Sequence, residues 1–426
     1  MNPILNSNVY IPDVEAHTMP DGRLYIYGSH DIAGDTEFCS TNYVVYSTDD
    51  MIHWKNHGVI FNSTEDKYEF NTGLTLGAPD CLYKDGKYYL YYCTYGNGMG
   101  VAVSNYPYGP FIQLGMVHPA DGDSIDPAAF LDDDGKVYYF WGQFNLKGGV
   151  LNDDMRTVDR KTIKQNILSE HEHGFHEGAS IRKINGKYYL LYTDISRGKA
   201  TSLAYAVADN PLGPYTKGGI VIDNVGCDPK TWNNHGSIEC FNEQYYVFYH
   251  RSSENSIYSR RACVEKIEIL NDGSIPEVKM SSNGVLDAID CEKELSINIL
   301  SKMKTKLPFN NYEAMHLECM SGEDVLIDTK ENDWVQIDGI EFNESIKGIE
   351  VEASTLKPTE IEIYISNNQK IGECVIDSTK SWDNFKRFSA PIQKVNGIQT
   401  IWFKFKGLKN SVGRLANVKS FKFLRR

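Results

Sequence analysis

The sequence predicts an all-β chain: a five-bladed β-propeller over residues 1–280, followed by a β-sandwich over 290–426. Three observations carry this prediction. A turn-plus-tyrosine-strand pattern recurs along the first two thirds of the chain. No long helical pattern interrupts it before about Met280. Short alternating strands then fill the last third.

The recurring pattern is Asp/Asn-Gly followed by a tyrosine-rich run. It reads DGRLYIYGS from Asp21, DGKYYLYYC from Asp85, DGKVYYFWG from Asp134 and NGKYYLLYT from Asn185, with a weaker NEQYYVFYH from Asn242. Each Asn/Asp-Gly pair suits the positive φ angles of a tight hairpin turn, and each run that follows is rich in strand formers. The spacing leaves room for one four-stranded unit per repeat, the period of propeller blades. Five hairpins give five blades. A β-sandwich whose hairpins match by chance is the alternative.

Position within the repeat singles out three acids. Asp13, Asp126 and Glu177 stand nine residues before Gly22, Gly135 and Gly186. Equivalent positions on innermost strands converge on the propeller axis, so these acids are expected to meet. The run DDDG at 132–135 reads as a solvated turn. Close carboxylates repel, and at least one holds its proton at neutral pH. A protonated acid facing an ionised base suits glycoside hydrolysis. A metal cage is the competing use, although no EF-hand spacing is present.

Composition narrows the partners. The chain has 426 residues and a formal charge of −14, which argues against nucleic acid. No apolar run approaches the length of a membrane-spanning helix. The nine scattered cysteines show no C-x-x-C spacing. With an N-terminus unlike a signal peptide, they lead to the expectation of free thiols in the cytoplasm.

The motifs NPILNSNVYIPDVEAH, SIDPAAFLDDDGKVYYFWG, FHEGASIRKINGKYYLLYT and NNHGSIECFNEQYYVFYHR, in this order, resemble glycoside hydrolase family 43, the five-bladed propeller hydrolases of arabinose- and xylose-containing wall polymers. The resemblance covers roughly residues 2–277. It implies an inverting mechanism with Asp13 as general base, Glu177 as general acid and Asp126 as the residue that tunes and orients the acid. It also implies that His235 faces a calcium ion or a water at the channel centre; a core histidine is the plain alternative. Val14 follows Asp13 where many members have proline, and Gly77 stands where many have tryptophan before Ala78-Pro79-Asp80.

Further candidates surround these residues. Arg251 would donate to sugar hydroxyls or sit in a turn. Asp80 is structural or accepts a hydrogen bond from substrate. Trp141 and Trp232 wall the sugar pocket or pack between blades. The last third resembles a family 6 carbohydrate-binding module through ENDWVQIDGIEF and STKSWDNFKRFSAP. There Trp382 would stack on sugar or pack, and Trp334 reads as core. The module binds carbohydrate, braces the propeller or shapes the rim of the active site.

The expected activity is exo-acting removal of α-L-arabinofuranosyl side chains from xylo-oligosaccharides. A β-D-xylosidase and an inactive carbohydrate-binding propeller are the alternatives.

Overall fold

The computed structural model describes residues 1–65, 73–95, 98–119, 124–308, 311–408 and 413–425. Five antiparallel sheets follow one another along the chain. Blade 1 holds β1 (Glu15–Thr18), β2 (Leu24–Tyr27), β3 (Asn42–Thr48) and β4 (Lys55–Asn62). Blade 2 holds β5 (Leu76–Lys84), β6 (Lys87–Thr94), β7 (Gly98–Ser104) and β8 (Ile112–Met116). Blade 3 has three strands, β9 (Ala128–Leu131), β10 (Val137–Trp141) and β11 (Lys147–Val150). After the single-turn helix α1 (Glu170–His173), blade 4 holds β12 (Phe175–Ile184), β13 (Lys187–Asp194), β14 (Ser202–Ala208) and β15 (Thr216–Asp223). Blade 5 holds β16 (Ser237–Phe241), β17 (Gln244–Ser253) and β18 (Ser256–Ile267).

The first strands of the blades touch in a closed ring, β1–β5–β9–β12–β16–β1. The chain start helps close it. Ile4 N–H donates to Ala262 O at 3.0 Å, and the Asn2 side chain bridges the N–H and C=O of Val264, both at 2.9 Å. Apolar clusters lie between successive blades. Tyr91, Tyr139 and Trp141 fill the seam between blades 2 and 3. Trp141 is 1% exposed there, so it packs between blades and does not wall a sugar pocket.

The hairpin turns divide by loop length. At 85–86 and 185–186 both residues have positive φ, as the two-residue turn requires. At 242–243 Asn242 and Glu243 adopt the same conformation without glycine. At 21–22 and 134–135 only the glycine is left-handed. Those loops have five residues and close with Gly22 N–H to Met19 O and Gly135 N–H to Asp132 O.

The C-terminal region is a sandwich of two six-stranded sheets among the described residues. One orders β19 (Ile289–Asp290), β24 (Trp334–Phe342), β29 (Gly397–Gly407), β26 (Thr359–Ile365) and β27 (Gln369–Ile376), with β21 (Lys302–Lys304) also on β24. The other orders β22 (His316–Met320), β23 (Glu323–Ile327), β30 (Asn417–Arg425), β25 (Ile346–Ser354) and β28 (Lys386–Pro391), with β20 (Leu295–Ser296) on β30. Phe403 and Phe421 stack across the core at 3.7 Å. The period-2 alternation of β24 and β26 puts Val335, Ile337, Ile361 and Ile363 inside.

Blade 5 carries the junction between the two parts. Arg261 makes a bidentate, buried pair with Asp324 at 2.6 and 2.7 Å. Arg251 is buried and donates to Leu300 O and Ser281 O. Burial pushes Glu265 up to about 7, although Arg251 lies beside it. Arg251 is therefore a strut of the junction and not a sugar ligand. None of the nine cysteines is in a disulfide, and seven are buried.

Candidate active site

Three of the blade-start positions converge as the repeat predicts. Asp13 and Asp126 sit two residues before β1 and β9, each with left-handed backbone, φ 56° and 51°. Glu177 lies in β12 at a bulge, and Gly178 after it has φ 69°. A side chain at Gly178 would meet the His235 ring at 3.0 Å, so the turn at Glu177 and the histidine are fitted to each other. The kinked backbone at these places turns the carboxyls off the strand direction and into one cleft of about 220 Å³. His235, Trp232 and Arg260 line the same cleft.

Each acid has different neighbours. Asp13 is buried; its Oδ1 accepts from Arg260 Nη1 at 2.9 Å and its Oδ2 from Ser29 Oγ at 2.7 Å. Its backbone N–H donates to His250 Nδ1 at 3.4 Å. Burial would raise its pKa, but Arg260, His250 and His235 outweigh burial and hold Asp13 well below the usual carboxylate range. Among the described residues, Asp126 has no lysine or arginine in an ion pair, and His235 Nδ1 is 4.0 Å away. Burial, then the charges of Glu177 and Asp13, push Asp126 well above the ordinary value. Glu177 is half-buried and accepts from Gln143 Nε2 at 2.9 Å. Asp126 therefore resists carrying a charge beside Glu177 and Asp13.

The supports of Glu177 come from blade 3 and from α1. Phe144 N–H donates to His176 O at 2.7 Å. The His176 ring packs edge-on against Phe144 and meets Glu170 at 2.9 Å. Ser169 caps α1, and Gly174 with φ 73° ends it, so the chain enters β12 at a fixed angle.

His235 is buried, with Nδ1 at 3.9 Å from Asp13 and 4.0 Å from Asp126. Burial pushes its imidazole down in spite of Asp13 and Glu177, which leaves it neutral near pH 7. A calcium ion here would find one ring nitrogen and two carboxylates, one of them already neutralised by Arg260, against a preference for six to eight oxygens. The protein atoms alone do not form a calcium cage. Among the described residues, the group with metal-ligand spacing is Glu15, His17 and Asp80, without His235.

That group lies further along the inner strands. Asp80 Oδ1 meets His17 Nε2 at 2.7 Å, and its Oδ2 accepts from Ala129 N–H at 2.7 Å. Arg182 bridges Glu15 and Glu239 at 2.7 and 2.9 Å. Burial, and then the neighbouring Asp80, push Glu15 up to about 7 against the pull of Arg182. Asp80 therefore helps plug the channel beneath the cleft and is not a substrate ligand. The nine-residue offset explains this: in blade 2 that place is Gly77, and Asp80 falls three residues later.

Trp232 is 51% exposed at the mouth, where a sugar ring could stack on it. Arg260, Gln143, Tyr95 and Phe38 also line the cleft and carry no mark in the repeat. Arg260 grips Asp31 through Nε and Nη2, both at 2.9 Å, while also reaching Asp13. Among the described residues, every residue that lines this cleft comes from the propeller, and none from the sandwich.

Residues 1–275 match the model of glycosyl hydrolases family 43, about two thirds of the chain. The chain belongs to that family. Residues 312–425 match carbohydrate binding module (family 6). A xylosidase/arabinosidase of Thermoclostridium stercorarium is 35% identical over 67% of this chain and 68% of its own length. An arabinoxylan arabinofuranohydrolase of Paenibacillus polymyxa is 24% identical over 95% of this chain and 71% of its own. A β-xylosidase/α-arabinofuranosidase from a compost metagenome, solved with xylotriose in a calcium-free form, is 31% identical with a TM-score of 0.56, over 66% of this chain and 97% of its own. The protein is thus a family 43 glycoside hydrolase with a family 6 module, and its ligands are carbohydrates.

Proposed function

We propose that this hydrolase is an exo-acting, inverting α-L-arabinofuranosidase that trims arabinofuranosyl side chains from xylo-oligosaccharides. The observation that carries the reading is the electrostatic split across one small cleft. Asp13 is held ionised by Arg260, while burial and the neighbouring carboxylates push Asp126 well above the ordinary value. The cleft is smaller than the ~300–1,000 Å³ of typical drug-sized ligand sites. This suits one terminal sugar better than a threaded chain.

Glu177 donates its proton to the leaving glycosidic oxygen. Asp13 takes a proton from the water that attacks the opposite face of the sugar. Asp126, beside Glu177, disfavours loss of the acid's proton before the bond breaks. Arg260 keeps Asp13 charged and oriented, and Trp232 offers an apolar face at the mouth. A calcium at His235 would be held mostly by water, and none of these steps needs it.

Arabinose is favoured over xylose because the Paenibacillus polymyxa relative, which matches across both domains, is an arabinoxylan arabinofuranohydrolase. Side-by-side hydrolysis of nitrophenyl α-L-arabinofuranoside and β-D-xyloside tests this; faster release from the xyloside makes the protein a β-xylosidase. Proton NMR of the first product anomer tests the chemistry, and net retention would make one acid a nucleophile.

A further inference from the structure

The outer face of one sandwich sheet carries a trough of about 660 Å³ that lies apart from the catalytic cleft. Its floor is aromatic. Trp334 on β24, Trp402 on β29 and Tyr364 on β26 all project from this face and are half-buried. Register sets them side by side. Trp402 is directly opposite Gln336 on one neighbour and Tyr364 on the other, and Trp334 is opposite Lys404. Trp402 Nε1 donates to Gln336 Oε1 at 3.0 Å, which fixes the indole. The sequence made Trp334 a core residue, but it occupies an outward position, between the inward Asp333 and Val335. Trp382, the other stacking candidate, lies under the Arg414 guanidinium at 4.4 Å and apart from the trough.

The charge of the trough runs against that of the chain. The whole molecule carries 57 acidic and 43 basic side chains, yet among the described residues the trough is lined by Lys304, Lys306 and Lys404 and by no acid. Lys304 is opposite Trp334 in the register, as is Lys404 from the other side. Glu362, opposite Lys404 on β26, is engaged by Lys370 at 2.9 Å and by the Tyr364 hydroxyl at 3.1 Å. A neutral polysaccharide would need the aromatic floor alone. Three ammonium groups around that floor match a carboxylate carried by the sugar.

We infer that this trough is a second carbohydrate site, selective for a polysaccharide segment bearing a uronic acid. Sugar rings stack on Trp334 and Trp402, and the uronate pairs with Lys304 and Lys404. The site goes beyond the hydrolase reading, since it holds an acidic stretch of polymer away from the cleft.

The test is calorimetric titration of the full chain carrying Asp13→Ala, which stops turnover. The probes are a xylo-oligosaccharide with one glucuronic acid branch and the same compound after reduction of its carboxyl to the alcohol. The acidic probe is expected to bind roughly fivefold to tenfold tighter at low salt, the scale of two exposed ion pairs, with the gap closing as salt rises. Lys304→Gln with Lys404→Gln should remove the preference and keep the neutral affinity, since both side chains are on the surface. Trp402→Ala should weaken both probes by about tenfold. Equal affinity for the two probes, or an acid preference that survives the lysine changes, overturns the proposal, as does failure of both probes to bind. Turnover of nitrophenyl arabinofuranoside by the native protein reports on the cleft separately, so loss of one reading leaves the other standing.

Discussion

Arg260 and Arg261 are adjacent on β18, both buried, both paired with carboxylates at hydrogen-bond distance, and they serve different regions of the molecule. The strand pleat sends them to opposite sides. Arg260 turns into the cleft, to Asp13 and Asp31. Arg261 turns out to Asp324 of the sandwich, with Tyr10 stacked beside it at 5.0 Å. In the cleft, one cation serves two acids, and among the described residues the remaining acids of the site, Asp126 and Glu177, lack a lysine or arginine of their own. At the junction, Arg261 holds Asp324 through two bonds, donates to the Tyr10 hydroxyl at 3.2 Å and has Glu254 at 3.8 Å. Arg260 fixes the charge of an acid that faces the cleft, and Arg261 ties blade 5 to the sandwich.

The largest effects should fall on Glu177 and Asp13, the acid and the base of the cleft. Glu177→Ala should lower turnover of natural arabinosides by about 10²–10⁴-fold, while nitrophenyl substrates, whose leaving group needs little protonation, keep far more activity. Asp13→Ala should abolish both together, because every substrate needs the activated water. Parallel kinetics on the two substrate classes decide this; equal losses in Glu177→Ala would remove it from the acid role.

Arg260→Gln should come next. It leaves Asp13 and Asp31 buried without their cation, so stability should fall by about 3–5 kcal/mol and turnover should collapse in the fraction that remains folded. Arg261→Gln should cost a similar amount in denaturant unfolding, since Asp324 is left buried alone, yet turnover per folded molecule should stay near native. If Arg261→Gln lost activity as Arg260→Gln does, the two sides of β18 would not be separate in function.

A smaller effect is expected from Asp126→Asn. The alkaline limb of the pH profile reports loss of the proton that the acid must donate. Removing a neighbouring carboxylate makes that loss easier, so the limb should move to lower pH. A shift upward, or none, would mean that Asp126 does not act on the acid. The smallest effect belongs to Trp232→Ala, which should raise KM for oligosaccharides by an amount worth about 1 kcal/mol and leave kcat nearly unchanged.

The repeat alone located the blades and the three acids, because a propeller turns a fixed offset in sequence into a fixed radius from the axis. Asp13, Asp126 and Glu177 were legible for that reason, and the same offset would have excluded Asp80. The five hairpins were legible too, although loop length decided which of them needed two left-handed residues. Residue type by itself misplaced Arg251, Trp141 and Trp334, since arginine and tryptophan serve equally in junctions, cores and sugar sites, and only the direction of the side chain separates these uses. Arg260 carried no signal: it reaches Asp13 across 247 positions of sequence, from a strand whose pleat sends its neighbour to another domain. The sequence determined which carboxylates meet. The tertiary structure decided which of them is charged, because that depends on where a single guanidinium points and on how deeply each acid is buried.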